Sequence, residues 1–93
     1  MLDISIVLEL SKDIVLRSIG EKYWALNVSS GTQYKLNEVS YFVLDQFRNQ
    51  KSVEQIIENT LVEYDVTREQ FMTDCIMILQ FAIDNLILQE VRS

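Results

Sequence analysis

Histidine and proline are absent from the chain, cysteine occurs once, and glycine only twice in 93 residues. Each shortage removes a class of function. Without histidine, Ser-His and Cys-His nucleophile pairs cannot be built. The lone thiol, Cys75, cannot form an internal disulfide. With neither histidine nor a cysteine pair, zinc and haem have almost no ligands to use, so no metal and no cofactor are expected. Scarce glycine and absent proline leave little room for linker or disorder, and the length suits one small domain. No apolar run reaches the ~18 residues of a membrane span. The opening "MLDISIVLEL" has an early acid and lacks the basic region and cleavage site of a secretory signal. A cytoplasmic protein with no membrane partner is expected.

Positive charge is also sparse. Eight Lys and Arg stand against 14 Asp and Glu, for a net charge of −6. The eight are scattered (Lys12, Arg17, Lys22, Lys35, Arg48, Lys51, Arg68, Arg92), whereas a duplex-binding surface needs them clustered. Nucleic acid is not an expected partner. The acids lie mostly on polar helix faces, where solvation is their ordinary role. Without a Gly-rich phosphate loop either, the chain is not expected to be an enzyme.

What is present is 48% apolar residues, ample for a core. The first half reads as strand. "DIVLRSI" (13–19) is rich in β-branched residues. "GEKYWALNV" (20–28) alternates, with Trp24, Leu26 and Val28 on one face and Tyr23, Ala25 and Asn27 on the other. Gly20 and "SSG" (29–31) mark turns. "TQYKL" (32–36) sets Tyr34 and Leu36 against Gln33 and Lys35. An antiparallel meander over 13–36 follows, with residues 1–12 as an arm or extra strand that protects its first edge. The second half reads as three helices within 37–86. Asn37 is an N-cap with Leu36 and Tyr41 at staple spacing. Ser52 with Gln55, and Thr67 with Gln70, have capping-box spacing. Val53, Ile56, Ile57, Leu61 and Tyr64 form the buried stripe of the second helix. The third ends at Asn85 in a left-handed conformation, and 87–93 is a short extended tail.

The third helix carries more apolar surface than one side can bury. At about 100° per residue its apolar positions fill an arc roughly 160° wide, with Met77 and Phe81 outside it beyond Asp74. These two either rest on the sheet or arm, line a groove for a partner, or are covered by self-association. Cys75 lies mid-arc and reads as a small buried hydrophobe. Trp24, on the central strand, reads as core. The last strand raises a related question, because the chain leaves it for a helix and only Lys35 blunts its edge. An extended peptide added to that edge would pair by main-chain hydrogen bonds and set alternate side chains against the third helix. Whether Tyr34 or Lys35 then donates outward depends on register.

The order "GTQYKLN" into a helix, then Ser52-Val53-Glu54, then Glu63-Tyr64-Asp65-Val66, then Asp74 with Ile78-Leu79, resembles the PqqD-like family over roughly residues 13–88. Its members are RiPP recognition elements, which hold the leader segment of a ribosomally made precursor peptide. The resemblance implies an α+β fold, an N-terminal three-stranded antiparallel sheet followed by a three-helix, winged-helix-turn-helix-like bundle. It implies non-catalytic leader binding by strand addition and presentation to a modifying or leader-cleaving enzyme. Carried onto this chain, the peptide site comprises Gln33, Tyr34, Lys35, Leu36, Asp74, Met77, Ile78 and Phe81, with Met72, Ile76 and Ile83 as the alternative flank. The chain departs from the family pattern where Asn85 or Leu86 replaces a glycine, and where Phe42 and Val43 replace a first-helix tryptophan. The "SSGTQYKLN" turn is closer to stand-alone members from lasso-peptide clusters. The rival readings are a winged-helix transcription regulator and a self-associating scaffold, a homodimer through the third helix.

Overall fold

A computed structural model describes residues 5–91. The chain runs β1 (Val7–Leu10), β2 (Ile14–Ile19), β3 (Lys22–Asn27), β4 (Gln33–Leu36), α1 (Glu38–Asp45) with a 3-10 turn at Gln46–Arg48, β5 (Lys51–Ser52), α2 (Val53–Glu63), α3 (Arg68–Asp84) and β6 (Leu88–Glu90). The fold is α+β, with the expected antiparallel meander β2-β3-β4 ahead of three helices. Gly20, at φ +61, turns β2 into β3. The β3–β4 turn is held by Asn27, whose Oδ1 accepts from the N–H groups of Ser29 and Ser30 at 2.9 and 3.0 Å.

The helix starts follow their caps. Asn37 Oδ1 accepts from Ser40 N–H at 2.7 Å. Ser52 and Gln55 complete a reciprocal capping box, and the Thr67 hydroxyl accepts from Gln70 N–H at 3.2 Å. Each such cap stabilises its helix by about 1 kcal/mol. The core is built where the helices meet one sheet face. Leu16, Ala25 and Leu36 from the sheet pack with Val43, Leu44, Phe47, Ile56, Ile57, Phe71, Cys75, Leu79 and Ala82. Phe71, Cys75, Leu79 and Ala82 form a buried stripe at helical spacing on α3, narrower than that helix's apolar arc.

Four expectations are corrected. The arm does not guard β2. Residues 7–10 form the middle strand of a separate sheet, β5-β1-β6, with Leu8 opposite both Lys51 and Glu90; the rest of the arm, residues 1–4, lies outside the described residues. The tail is accordingly a strand, and Ile87 and Leu88 are buried. Trp24 is not core. Register places Tyr23 and Ala25 on the face shared with Leu36 and Tyr34. Tyr23 meets Tyr41 of α1 with ring centroids 4.9 Å apart, and Ala25 is fully buried. Trp24 therefore takes the opposite face. Finally, Asn85 keeps a negative φ, and the left-handed residue is Leu86 at φ +61. Leu86 N–H donates to Ile83 C=O and Ile87 N–H to Ala82 C=O, the paired bonds of a Schellman ending.

Candidate functional site

The edge of β4 is where backbone chemistry and exposed apolar surface meet. Antiparallel partners alternate between pairs that exchange both backbone hydrogen bonds and pairs that exchange none. Asn27 N–H donates to Thr32 C=O at 2.9 Å, so that pair is a bonded one. Stepping along the register, Ala25–Tyr34 and Tyr23–Leu36 are bonded as well, and Leu26–Gln33 and Trp24–Lys35 are not. The N–H and C=O groups of Gln33 and Lys35 therefore point away from β3. β4 is the last strand of its sheet, so these are the groups its open edge offers. The register thus answers the question left open between Tyr34 and Lys35: Lys35 donates outward, Tyr34 inward.

Beside this edge runs a cleft of about 260 Å³. Lys35 and Leu36 form its lip. Asn37, Ser40 and Leu44 come from the turn into α1 and from that helix, and Met77, Ile78 and Phe81 come from α3. A second depression, of about 380 Å³, continues along α3 past Val39 to Asp74 and shares Asn37, Met77 and Ile78 with the cleft. Tyr34 does not open into it. Its ring meets Phe81 edge-on with centroids 5.9 Å apart, which props Phe81 against the strand. Met77 is 67% and Phe81 45% exposed. Covering both would contribute roughly 2–3 kcal/mol, since fully burying such a side chain yields about 1.5–3 kcal/mol.

The expected site residues thus converge, except that the Gln33 and Lys35 side chains alternate with Tyr34 and Leu36 onto the other face of the sheet. Lys35, Leu36, Met77, Ile78 and Phe81 line the cleft, Asp74 lies at its far end, and Tyr34 supports it. The Gln33 side chain lies on the other face of the sheet with Arg17, Ile19, Trp24 and Leu26, and only its backbone faces the edge. On the alternative flank of α3, Met72 and Ile83 pack partly against the core, while Ile76 is outside it. Sequence reading missed Asn37, Val39, Ser40 and Leu44 as lining residues. The 37-40-44 spacing places three of them on one face of α1, a signal that capping concealed. Lys35 and Asp74 enter no salt bridge among the described residues.

The chain's one thiol lies outside the cleft. Cys75 points into the core, where burial pushes its thiol up to about 11, leaving almost no thiolate at neutral pH. Among the described residues no group of three His, Cys, Asp or Glu could hold a metal ion, and no helix is long and apolar enough to cross a membrane. What the site can do is pair with an extended backbone and take up apolar side chains.

Residues 14–87 match the family described as coenzyme PQQ synthesis protein D (PqqD). The chain belongs to the PqqD family. Among solved structures, this PqqD-family chain shares its fold with TbiB1 in complex with the TbiA(beta) leader peptide, at TM-score 0.77 and 21% identity, over 91% of this chain and 99% of that one. It shares it also with a lasso peptide synthetase B1 complexed with the leader peptide, at TM-score 0.74 and 17% identity, over 88% and 96%. No curated protein matches the chain by sequence.

Proposed function

We propose that the chain binds the leader segment of a ribosomally made precursor peptide as an added strand on β4, and presents it to a modifying or leader-cleaving enzyme without catalysing a reaction itself. The observation that carries this reading is the coincidence of two unfilled features. The outward backbone groups of Gln33 and Lys35 lie beside a cleft in which Met77 and Phe81 are left uncovered. An added strand fills both at once, because its alternate side chains point to the same side as Tyr34 and Leu36. Membership of the PqqD family and the leader peptides in the two similar structures support the same reading. The winged-helix regulator lacks such support: α3 has one basic residue, Arg68, and it is paired with Glu58.

Main-chain and apolar contacts dominate this mode, so affinity depends only weakly on salt. The test is a fluorescence-anisotropy titration with a labelled leader from a precursor encoded beside this chain, and a scrambled leader as control. Saturable binding of the true leader alone is expected. Equal binding of both peptides, or of neither, would overturn the proposal.

A further inference from the structure

The face of the meander turned away from the helices carries a pattern that leader binding does not use. Arg17 pairs with Trp24, and Trp24 with Lys35, so a guanidinium, an indole and an ammonium stand in one row across the three strands. The next row is Val15, Leu26 and Gln33, and Ile19 pairs with Lys22 on the other side. Val15 and Ile19 are exposed. Three of the chain's eight basic residues stand on these strand positions and none of its 14 acids, in a chain of net charge −6. An apolar centre with a Trp, an Arg and a cationic rim has the composition of an interface hot spot.

We propose that this face docks a partner protein through an apolar patch rimmed by acidic side chains, and that the partner is the enzyme that works on the bound peptide. The identity of the partner rests on the function proposed for the β4 edge; the chemistry of the face does not. Charge selects the occupant. A two-fold dimer through this face would set Arg17, Lys22 and Lys35 against their own copies. Docking it on the acidic helices of a second copy is a head-to-tail contact, which would build a ring or a filament rather than a two-fold dimer. Three cations and a single aromatic ring make a poor nucleic-acid platform, which needs more of both. The face also adjoins the β4 edge. Every second side chain of an added strand would emerge beside Lys35 and Gln33, so a protein docked here would touch the peptide as well as the chain.

The test uses the full chain and the purified maturation enzyme encoded beside the precursor. Arg17→Glu/Lys22→Glu reverses charge at two exposed positions outside the cleft, and Arg17→Gln/Lys22→Gln removes it without adding any. Enzyme affinity is expected to fall about tenfold or more in the first variant and less in the second, with wild-type association weakening as salt rises. Leader affinity should stay within about twofold in both, since neither residue touches the cleft. Unchanged enzyme affinity in the Glu variant would overturn the proposal, and so would a wild-type dimer that the variant dissolves. Charge-dependent enzyme binding with no leader binding by any form would sustain this face while removing the proposed leader function.

Discussion

Proline at two adjacent positions of β4 separates the edge from the ladder. Lys35 directs its N–H outward and Tyr34 directs its own toward Ala25. Lys35→Pro therefore removes a donor that the isolated chain offers only to solvent. Proline is tolerated on an edge strand, and the extended conformation it imposes on Tyr34 is one that a strand residue already has. The fold should survive. The bound peptide then loses one main-chain bond and keeps a desolvated carbonyl without a partner, at about 1–3 kcal/mol. That is roughly 5- to 150-fold in Kd, and the ring's bulk at the edge adds to it. Tyr34→Pro instead deletes a bond within the sheet and the ring that supports Phe81, so its main effect is on stability. The assay is anisotropy titration of the leader, with thermal unfolding of each variant alongside. Wild-type affinity in a folded Lys35→Pro chain would refute the strand-addition argument. Gln33→Pro, the other outward position, should repeat the Lys35 result.

Phe81→Ala should weaken leader binding by about tenfold while lowering stability by only about 1 kcal/mol, well under the 3–5 kcal/mol of a fully buried phenylalanine, because the ring is 45% exposed; paired titration and urea unfolding measure the two losses, and a larger stability loss would return the ring to the core. Leu86→Gly should raise the melting temperature by roughly 4 °C or more, since a left-handed leucine costs about 1–2 kcal/mol and this side chain is 71% exposed with little packing to lose. Alkaline stability should report on Cys75. Its folded pKa is raised from 9.0 to about 11, so its contribution is complete below pH 9 and is lost as pH rises towards 11, where an unfolded thiol ionises and the folded one does not. The loss amounts to about 2–3 kcal/mol, and urea unfolding of Cys75→Ala across the same range should lack that component of the slope.

The parts of this fold legible in the sequence are those written locally. Asn37, Ser52 and Thr67 announce their helices because a cap is a contact between residues three apart. The alternation of Gln33 to Leu36 announces an edge strand, and the surplus apolar surface of α3 points to the cleft. What stayed hidden depends on distant pairing. Lys51–Ser52 is too short to have a period, and its pairing with β1 joins residues about half the chain apart. Alternation in β3 names two faces but does not say which is covered. The bulky Trp24 suggested the wrong one, whereas the register with Leu36 and the Tyr23–Tyr41 contact put small Ala25 inside. The lining role of Ser40 and Leu44 needed α1 and α3 brought to one cleft, which no single-helix pattern contains.

The small sheet β5-β1-β6 imposes an order in time. β1 and its partner β6 lie some eighty residues apart, with Leu8 opposite Glu90. That closure costs less entropy once the intervening helices have folded, so the β1–β6 pairing is expected to follow them. The same clasp holds Ile87 and Leu88, and through them the end of α3, the helix that forms one wall of the cleft. A chain released before β6 has docked would carry the open edge of β4 without a fixed wall beside it, and amide exchange in β1 and β6 would report the moment at which the site becomes competent.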